Sequence, residues 1–252
     1  MSSIARKLAG PSSSRGTRIL GALALVSTVL LLLLGLIWSP REVDQADAVR
    51  LMYVHVPSAV VGLYFAFGVT LVGSIVYLRK QSDFWDLMAH AGAEIGVLFC
   101  AFVLVTGALW GRPTWGVYWE WDPRITSTTV TLVLYLGYLA VRRMDLDPVV
   151  RSRRAAILGI ISFANLLIVK QSVEWWRGLH QGSTVGIDTQ MDGLMFFTLA
   201  WGVLTFTLIF AWLLMHRFRL AWYEHQAAAV SLDDAIAARR GEHRSSLAGE
   251  AI

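Results

Sequence analysis

The chain has 252 residues, of which 56% are hydrophobic and only 16% are charged. Soluble domains usually carry about 25% charged residues, so this composition excludes an ordinary soluble domain. The net charge of +4 does not indicate a nucleic-acid partner, because the basic residues lie in short stretches between apolar runs, as they do in membrane proteins. The single cysteine, Cys100, lies inside an apolar run and is interpreted as a small hydrophobic residue.

Six apolar runs are long enough, or nearly long enough, to cross a bilayer, which takes about 20 helical residues. In chain order they are 19–38, 56–78, 87–110, 127–141, 155–169 and 194–215. The fourth and fifth runs are short, and neighbouring polar residues such as Gln171 and Ser172 extend them. None of the runs alternates as membrane β-strands do. The sequence therefore predicts an all-α, polytopic integral membrane protein with six transmembrane helices.

The first run resembles a signal peptide in having basic residues before it and a small-x-small pattern, Ala46-Asp47-Ala48, after it. Its apolar part of about 20 residues exceeds the 7–15 residues of a signal sequence, so we interpret it as a retained helix. With the N-terminus inside, 16 of the 22 lysines and arginines fall in inside segments and 6 in outside segments. This bias predicts that both termini are cytoplasmic.

The predicted organisation has three parts: a cytoplasmic N-terminal tail over 1–18, a transmembrane domain over 19–215 and a cytoplasmic C-terminal tail over 216–252. The N-terminal tail is rich in Ser, Gly and Arg, which is typical of disorder. A helix is predicted over 227–240 in the C-terminal tail. The three outward segments, 39–55, 111–125 and 172–192, hold most of the unusual residues, so we expect the function on the outside.

An outward loop over 110–125 holds a dense group of aromatic residues: Trp110, Trp115, Tyr118, Trp119 and Trp121. Trp and Tyr concentrate at membrane interfaces, which accounts for one or two of them. Five in one loop, with almost no counterpart expected on the inner side, favour a platform for a large planar apolar ligand. Asp122 precedes Pro123, a pair that is typical of a helix N-cap and first turn.

Two histidines, His55 and His180, are the only ones in the outward segments. Pro57, shortly after His55, fits the first turn of the second helix. Imidazole nitrogen is a standard axial ligand of heme iron, whereas zinc takes three or four nitrogen or sulfur ligands. Three arginines on the same side, Arg112, Arg124 and Arg177, are predicted to pair with heme propionates, or else are solvated loop residues.

Inside the predicted helices, His90 and Glu94 lie four residues apart on one face. An ionisable residue in a membrane helix is a functional candidate, although Glu94 is equally explained by a hydrogen bond between helices. Asn165 is predicted to join two helices by such a bond.

Three motifs resemble one known family. The segment from Trp115 to Asp122 resembles the tryptophan-rich WWD signature of heme-handling membrane proteins, and its continuation to Ser127 resembles the branch known as heme exporter protein C, or cytochrome c maturation protein C. His55-Val-Pro-Ser-Ala resembles the first histidine motif of that branch, and residues 172–184 resemble the second. The resemblance covers about residues 50 to 215.

The resemblance implies a protein of the cytoplasmic (inner) membrane with its heme site on the extracytoplasmic face. It implies that His55 and His180 are the axial ligands of heme b. The remaining implied heme-binding residues are Trp115, Tyr118, Trp119, Trp121, Asp122, Arg124 and Arg177. The implied partners are a small membrane-anchored heme chaperone, which receives the heme for cytochrome c, and an ABC-type ATPase with a second membrane subunit. The chain has no G-x-x-x-x-G-K-[ST] motif, so ATP hydrolysis is assigned to a partner and no enzymatic activity is predicted.

Three alternatives remain at the level of sequence. A sister branch contains cytochrome c synthase-type proteins, which are larger and attach heme directly. A bis-histidine cytochrome b subunit places histidines at both membrane faces, whereas both candidates here lie at one face. A channel or solute transporter requires polar residues along a midplane path, for which Glu94 and Asn165 are the candidates.

Overall fold

The computed structural model describes residues 14–180 and 191–249, with side chains as far as Ser231. It contains six helices that are long and apolar enough to cross a membrane. They are α1 (Arg15–Trp38), α2 (Asp47–Lys80), α3 (Asp83–Trp115), α4 (Pro123–Arg142), α5 (Pro148–Trp175) and α6, whose candidate span is Gly193–Ser231 and whose helix continues to Gly249. In the described residues, the only β pairing is an isolated bridge between Glu42 and Ala46. The prediction of an all-α bundle with six spans is confirmed.

The two helices that looked short in the sequence are longer in the structure. Each begins at a proline that follows a capping aspartate: Asp122 caps α4 through the Ile125 N–H at 2.8 Å, and Asp147 caps α5 through the Val149 N–H at 3.0 Å. An aspartate before a first-turn proline satisfies helical N–H groups that would otherwise lack a partner. Both helices are thus longer than their apolar runs, and Gln171 and Ser172 lie within α5, as predicted. The C-terminal helix predicted over 227–240 also forms, as part of the backbone of α6.

Helix α2 differs from its prediction. It begins at Asp47 instead of near residue 56, so Pro57 lies inside the helix and not in its first turn. A π-helical stretch, Val60–Ala66, follows the proline. Proline lacks an N–H and disturbs the ladder of hydrogen bonds, and such stretches accommodate the disturbance. His55 consequently lies within the helix and not at its start.

Helices α2 and α3 form the centre of the bundle. α1 packs on α6 at one side, and α4 packs on α5 at the other. Glycines allow the central pair to approach closely: a Cβ on Gly96 of α3 would overlap the ring of Phe67 in α2. Phe67 is fully buried and stacks on Tyr135 of α4 with ring centroids 3.6 Å apart. Small residues at such contacts are typical of packing between membrane helices, and this packing fixes the register of α2 against α3.

The name tryptophan end is used for the end of the bundle at which α1, α3 and α5 terminate. The other end is called the opposite end. The opposite end carries a buried ion pair. Arg142 of α4 makes a bidentate pair with Asp86 of α3, with N···O distances of 2.7 and 2.6 Å, and Ser152 of α5 donates to the same carboxylate at 3.0 Å. Both charged side chains are largely buried. The Asp86 carboxylate therefore joins three helices, α3, α4 and α5.

The opposite end also has aromatic residues of its own. Phe84 contacts Phe218 and Trp222 of α6, with centroid distances of 4.9 and 6.4 Å, and Trp85 lies beside it. The expectation of almost no aromatic counterpart at this end was therefore wrong. These rings pack α6 against α3, whereas several tryptophan side chains at the tryptophan end are exposed.

Two predicted contacts between helices are present. The Asn165 amide of α5 donates to the Ser127 carbonyl at 2.8 Å and the Thr131 hydroxyl at 2.7 Å in α4, so Asn165 joins these helices as predicted. Glu94 of α3 accepts from Arg217 of α6 at 3.0 Å, and His90 lies 3.5 Å from the same carboxylate. Glu94 therefore makes a hydrogen bond between helices, which was one of the two interpretations offered for it.

Candidate functional site

Three connections meet at the tryptophan end. The indole N–H of Trp110 in α3 donates to the side chain of Gln45, in the α1–α2 connection, at 2.8 Å. Asp122, at the start of α4, contacts His180, which follows α5. Residues 181–190, including the rest of the second histidine motif, lie outside the described residues. Segments that are far apart in the sequence are thus joined by hydrogen bonds on one surface.

His180 is oriented by Asp122. Its Nδ1 lies 2.7 Å from Asp122 Oδ2, and its backbone N–H donates to the same oxygen at 3.2 Å. The other oxygen of Asp122 accepts the Ile125 N–H. An ionised carboxylate only accepts hydrogen bonds, so Nδ1 of His180 carries a proton, and Nε2 is the ring nitrogen left to bind a ligand. Asp122 is the helix cap that was predicted, and it also sets the side of the imidazole that is free to bind a ligand.

The electrostatics of Asp122 support this arrangement. Burial raises the pKa of Asp122, but the hydrogen bonds from His180 and Ile125 outweigh burial and hold the pKa below its ordinary value of 3.8. A lowered pKa means that the stabilising contacts are present above the ordinary value and are lost as the pH falls through the folded-state value. The contact with His180 is therefore intact at neutral pH.

The His55 side chain packs against α3. Its Nδ1 lies 3.0 Å from the Thr106 hydroxyl oxygen, and that hydroxyl donates to the Phe102 carbonyl at 2.9 Å. A hydroxyl has one proton, so Thr106 accepts a hydrogen bond from His55, and Nε2 of His55 is again the unprotonated nitrogen. Trp110 packs edge-on against the imidazole at 5.7 Å between centroids. Gly107 leaves room for the ring, since a Cβ there would lie 3.0 Å from His55 Cε1.

Sequence reasoning missed Thr106 and Gly107, and it assigned Trp110 to the aromatic platform and not to the surroundings of His55. Thr106, Gly107 and Trp110 lie within four positions on the third apolar run, and Thr106 and Trp110 share one helix face. The spacing of Thr106 and Trp110 can be read from the sequence, but the contact of these residues with His55 depends on how α2 packs against α3. His180 and Arg124 lie within electrostatic range of His55, so the structure brings the two predicted histidines to one region.

The predicted aromatic residues take two different positions. Trp115 is not in a loop; it is the last residue of α3, and its ring meets His180 edge-on at 4.7 Å. Trp119 and Trp121 lie in the following connection and pack at 5.2 Å, with 37% and 65% of their surfaces exposed. Tyr118 is also exposed. One tryptophan therefore supports a histidine, while the others present open aromatic surface.

A second exposed tryptophan pair lies within the motif around His180 and was not predicted to belong to the site. Trp175 and Trp176, at the end of α5, pack at 5.6 Å between ring centroids and are both more than half exposed. Trp176 also lines a shallow depression beside His180 and Asp122. Trp176 thus presents exposed aromatic surface next to His180.

The three predicted arginines differ in their surroundings. Arg124 donates to the Lys170 carbonyl of α5 at 3.2 Å. Arg112 donates to the Gly116 carbonyl and lies over the Tyr118 ring at 5.7 Å. Arg177 is exposed. The first two thus have structural contacts, and the pairing of all three with propionates stays a prediction.

The fold and the site together define a polytopic α-helical membrane protein that presents two oriented histidines and exposed tryptophans at one end of its bundle. The sequence model of the family described as heme exporter protein C matches residues 6–232. The chain therefore belongs to the heme exporter protein C family, which consists of membrane transport and delivery subunits and not of enzymes.

Curated relatives that bear the name heme exporter protein C agree with this assignment. The protein from Escherichia coli K12 is 38% identical over 200 residues, covering 77% of this chain and 80% of the relative. The protein from Haemophilus influenzae is 35% identical over 208 residues, covering 79% and 83%. The protein from Bradyrhizobium diazoefficiens is 42% identical over 162 residues, covering 63% and 61%. The match thus spans less than two thirds of the Bradyrhizobium protein.

Proposed function

We propose that this chain binds heme b at the extracytoplasmic face of the cytoplasmic membrane and delivers it to a small membrane-anchored heme chaperone in c-type cytochrome biogenesis. The observation that carries the proposal is the Asp122–His180 contact, with an N···O distance of 2.7 Å at the tryptophan end. Metal-binding histidines commonly donate their second ring N–H to a carboxylate, which fixes the tautomer and the ring orientation. His180 has this arrangement in a family named for heme export.

His55 would be the second axial ligand. Its Nδ1 is engaged by Thr106, so its free nitrogen is Nε2, as in His180. Bound heme would supply the iron that the two imidazoles hold, and its aromatic ring would gain burial against the exposed tryptophans. Because that surface is open, one edge of the heme would remain accessible to a receiving protein.

The proposed partners follow from what the chain lacks and from its relatives. The sequence contains no P-loop motif, so ATP hydrolysis would come from an ABC-type ATPase, joined by a second membrane subunit. The relatives are named as heme exporters. The heme chaperone would dock at the tryptophan end, where Trp119 and Trp121 are exposed.

Absorption spectroscopy of the purified protein tests the heme assignment. We expect wild-type protein, purified from heme-replete cells, to show a Soret band with the signature of low-spin, six-coordinate heme. His55→Ala and His180→Ala should each lose the low-spin signature, because one axial ligand is removed. His225→Ala, which changes a histidine at the opposite end, is the control and should match wild type. Low-spin heme that persists in both site variants would contradict the ligand assignment.

Cysteine labelling tests the proposed orientation. Cys100 is the single cysteine and is fully buried, so it can stay in place while new cysteines are introduced. We expect Val43→Cys, at the tryptophan end, to react with a membrane-impermeant maleimide in intact cells. Met144→Cys, at the opposite end, should react only after the cells are permeabilised. Both native side chains are exposed, at 96% and 47%, and the reverse labelling pattern would overturn the orientation.

A further inference from the structure

The two histidines differ in the group that holds Nδ1. His180 donates to a carboxylate, Asp122, at 2.7 Å, whereas His55 donates to a hydroxyl, Thr106, at 3.0 Å. A hydrogen bond to a charged acceptor is roughly twice as strong as one between neutral groups. A carboxylate behind an imidazole also raises the basicity of the nitrogen on the other side of the ring. The two free Nε2 atoms are therefore unequal electron donors.

The surroundings increase this difference. The Asp122 side chain is only 3% exposed, and its oxygens accept three N–H groups, two from His180 and one from Ile125. The negative charge is thus fixed in place behind His180 and is little screened by water.

The hydrogen bonds of Thr106 add to the same effect. Its hydroxyl donates to the Phe102 carbonyl at 2.9 Å and so reaches His55 only as an acceptor. That acceptor is neutral and carries none of the charge that Asp122 places behind His180. Thr106 thus orients His55 without strengthening it as a ligand.

We propose that the two axial ligands have different tasks: His180, backed by Asp122, retains heme, and His55, backed by Thr106, is the ligand that is released first. This inference rests on the proposed function. Release on the His55 side would open one axial position of the iron, while heme stays bound through His180 and the aromatic surface. An incoming ligand from the receiving protein would then exchange with His55 and not with His180. Asp122 and Thr106 are positioning residues in this scheme.

Cavity variants test which histidine retains heme. His55→Gly and His180→Gly are purified under identical heme-replete conditions, and heme is quantified per protein. We expect His180→Gly to retain at least about 10-fold less heme than His55→Gly, the scale on which second-shell partners change metal affinity. Added imidazole should restore a low-spin spectrum to His55→Gly by filling the vacated position. Equal losses in the two variants, or a greater loss in His55→Gly, would overturn the inference.

Charge removal separates the effect of Asp122 from folding. Asparagine is as good an N-cap as aspartate and keeps an oxygen that accepts a hydrogen bond, so Asp122→Asn removes mainly the negative charge. We expect Asp122→Asn to raise the midpoint potential of bound heme, because a weaker donor stabilises ferric iron less. Asp147→Asn, the matched change at the N-cap of α5 at the opposite end, should leave that potential nearly unchanged. A potential that is insensitive to Asp122→Asn, or that shifts equally in Asp147→Asn, would refute the unequal tasks.

Failure of this inference can be told apart from failure of the proposed function. Heme-free wild-type protein, under conditions in which the cells are heme-replete, would contradict the proposed function and the inference together. Heme-containing wild-type protein with equivalent histidine variants would leave the proposed function intact and overturn only the division of tasks.

Discussion

Replacement of both His55 and His180 by alanine is expected to lower heme loading of the chaperone by at least about 100-fold, since altering even the partners of a metal ligand costs 10- to 100-fold. With both imidazoles removed, only the exposed aromatic surface would remain to hold heme. Folding should change little, because both residues lie at the edge of the bundle and neither is fully buried. The measurement is the amount of heme bound to the chaperone, purified from cells that contain either variant or wild type.

A matched double variant controls for this result. His216 and His225 lie on α6 at the opposite end, where His216 packs against Trp212 and His225 lies 3.7 Å from Asp83. His216→Ala with His225→Ala removes the same number of imidazoles and should leave chaperone loading close to wild type. Normal loading in the His55, His180 double variant, at equal protein level, would refute heme delivery through these histidines.

Arg142→Ala should destabilise the bundle by about 3–5 kcal/mol, because it leaves the Asp86 carboxylate buried without its partner. Arg142 and Asp86 are 9% and 12% exposed at their side chains, so water replaces the lost contacts poorly. Only Ser152 would continue to donate to Asp86. Thermal unfolding of the detergent-solubilised protein, followed by circular dichroism, measures the change.

An apolar pair distinguishes the cost of an unpaired charge from the loss of packing. Replacement of Asp86 and Arg142 together by methionine should recover most of the stability, because well-packed apolar residues often substitute for a buried ion pair without loss. The double variant should also retain heme, since the pair lies at the end of the bundle away from the histidines. A double variant that is less stable than Arg142→Ala would show that the ion pair itself, and not an unpaired charge, governs stability here.

The number of spans could be predicted because bilayer thickness sets the length of an apolar run. The cap at Asp122 was predicted from its Asp-Pro pair, and Asp147 with Pro148 is a second pair of this kind. The start of α2 was not predicted, since residues 47–55 are mixed in polarity and Pro57 suggested a later beginning. Their helical state depends on packing: Tyr53 is almost fully buried, and its backbone carbonyl lies close to Gly202 of α6. Contacts with a distant helix thus decided a boundary that local sequence signals placed elsewhere.

The opposite end shows a similar limit. Arg142 and Asp86 are 56 positions apart, and each looked like an ordinary charge at the end of a run. Their burial follows from the association of α3, α4 and α5, which is not encoded in any single segment. Likewise, the aromatic residues at Phe84 and Trp222 form a cluster only because α6 returns alongside the start of α3.

His55, His180 and the tryptophan loop were singled out by residue type and by their place in the predicted outward segments, and their role in binding heme stays a prediction. What each histidine does depends on its hydrogen-bond partner: Asp122 lies 58 positions from His180, and Thr106 lies 51 positions from His55. Local sequence thus specifies which groups are present, because apolar length and residue chemistry are local properties. Ring orientation and the environment of each ligand arise only when the helices pack, because they depend on contacts between distant segments.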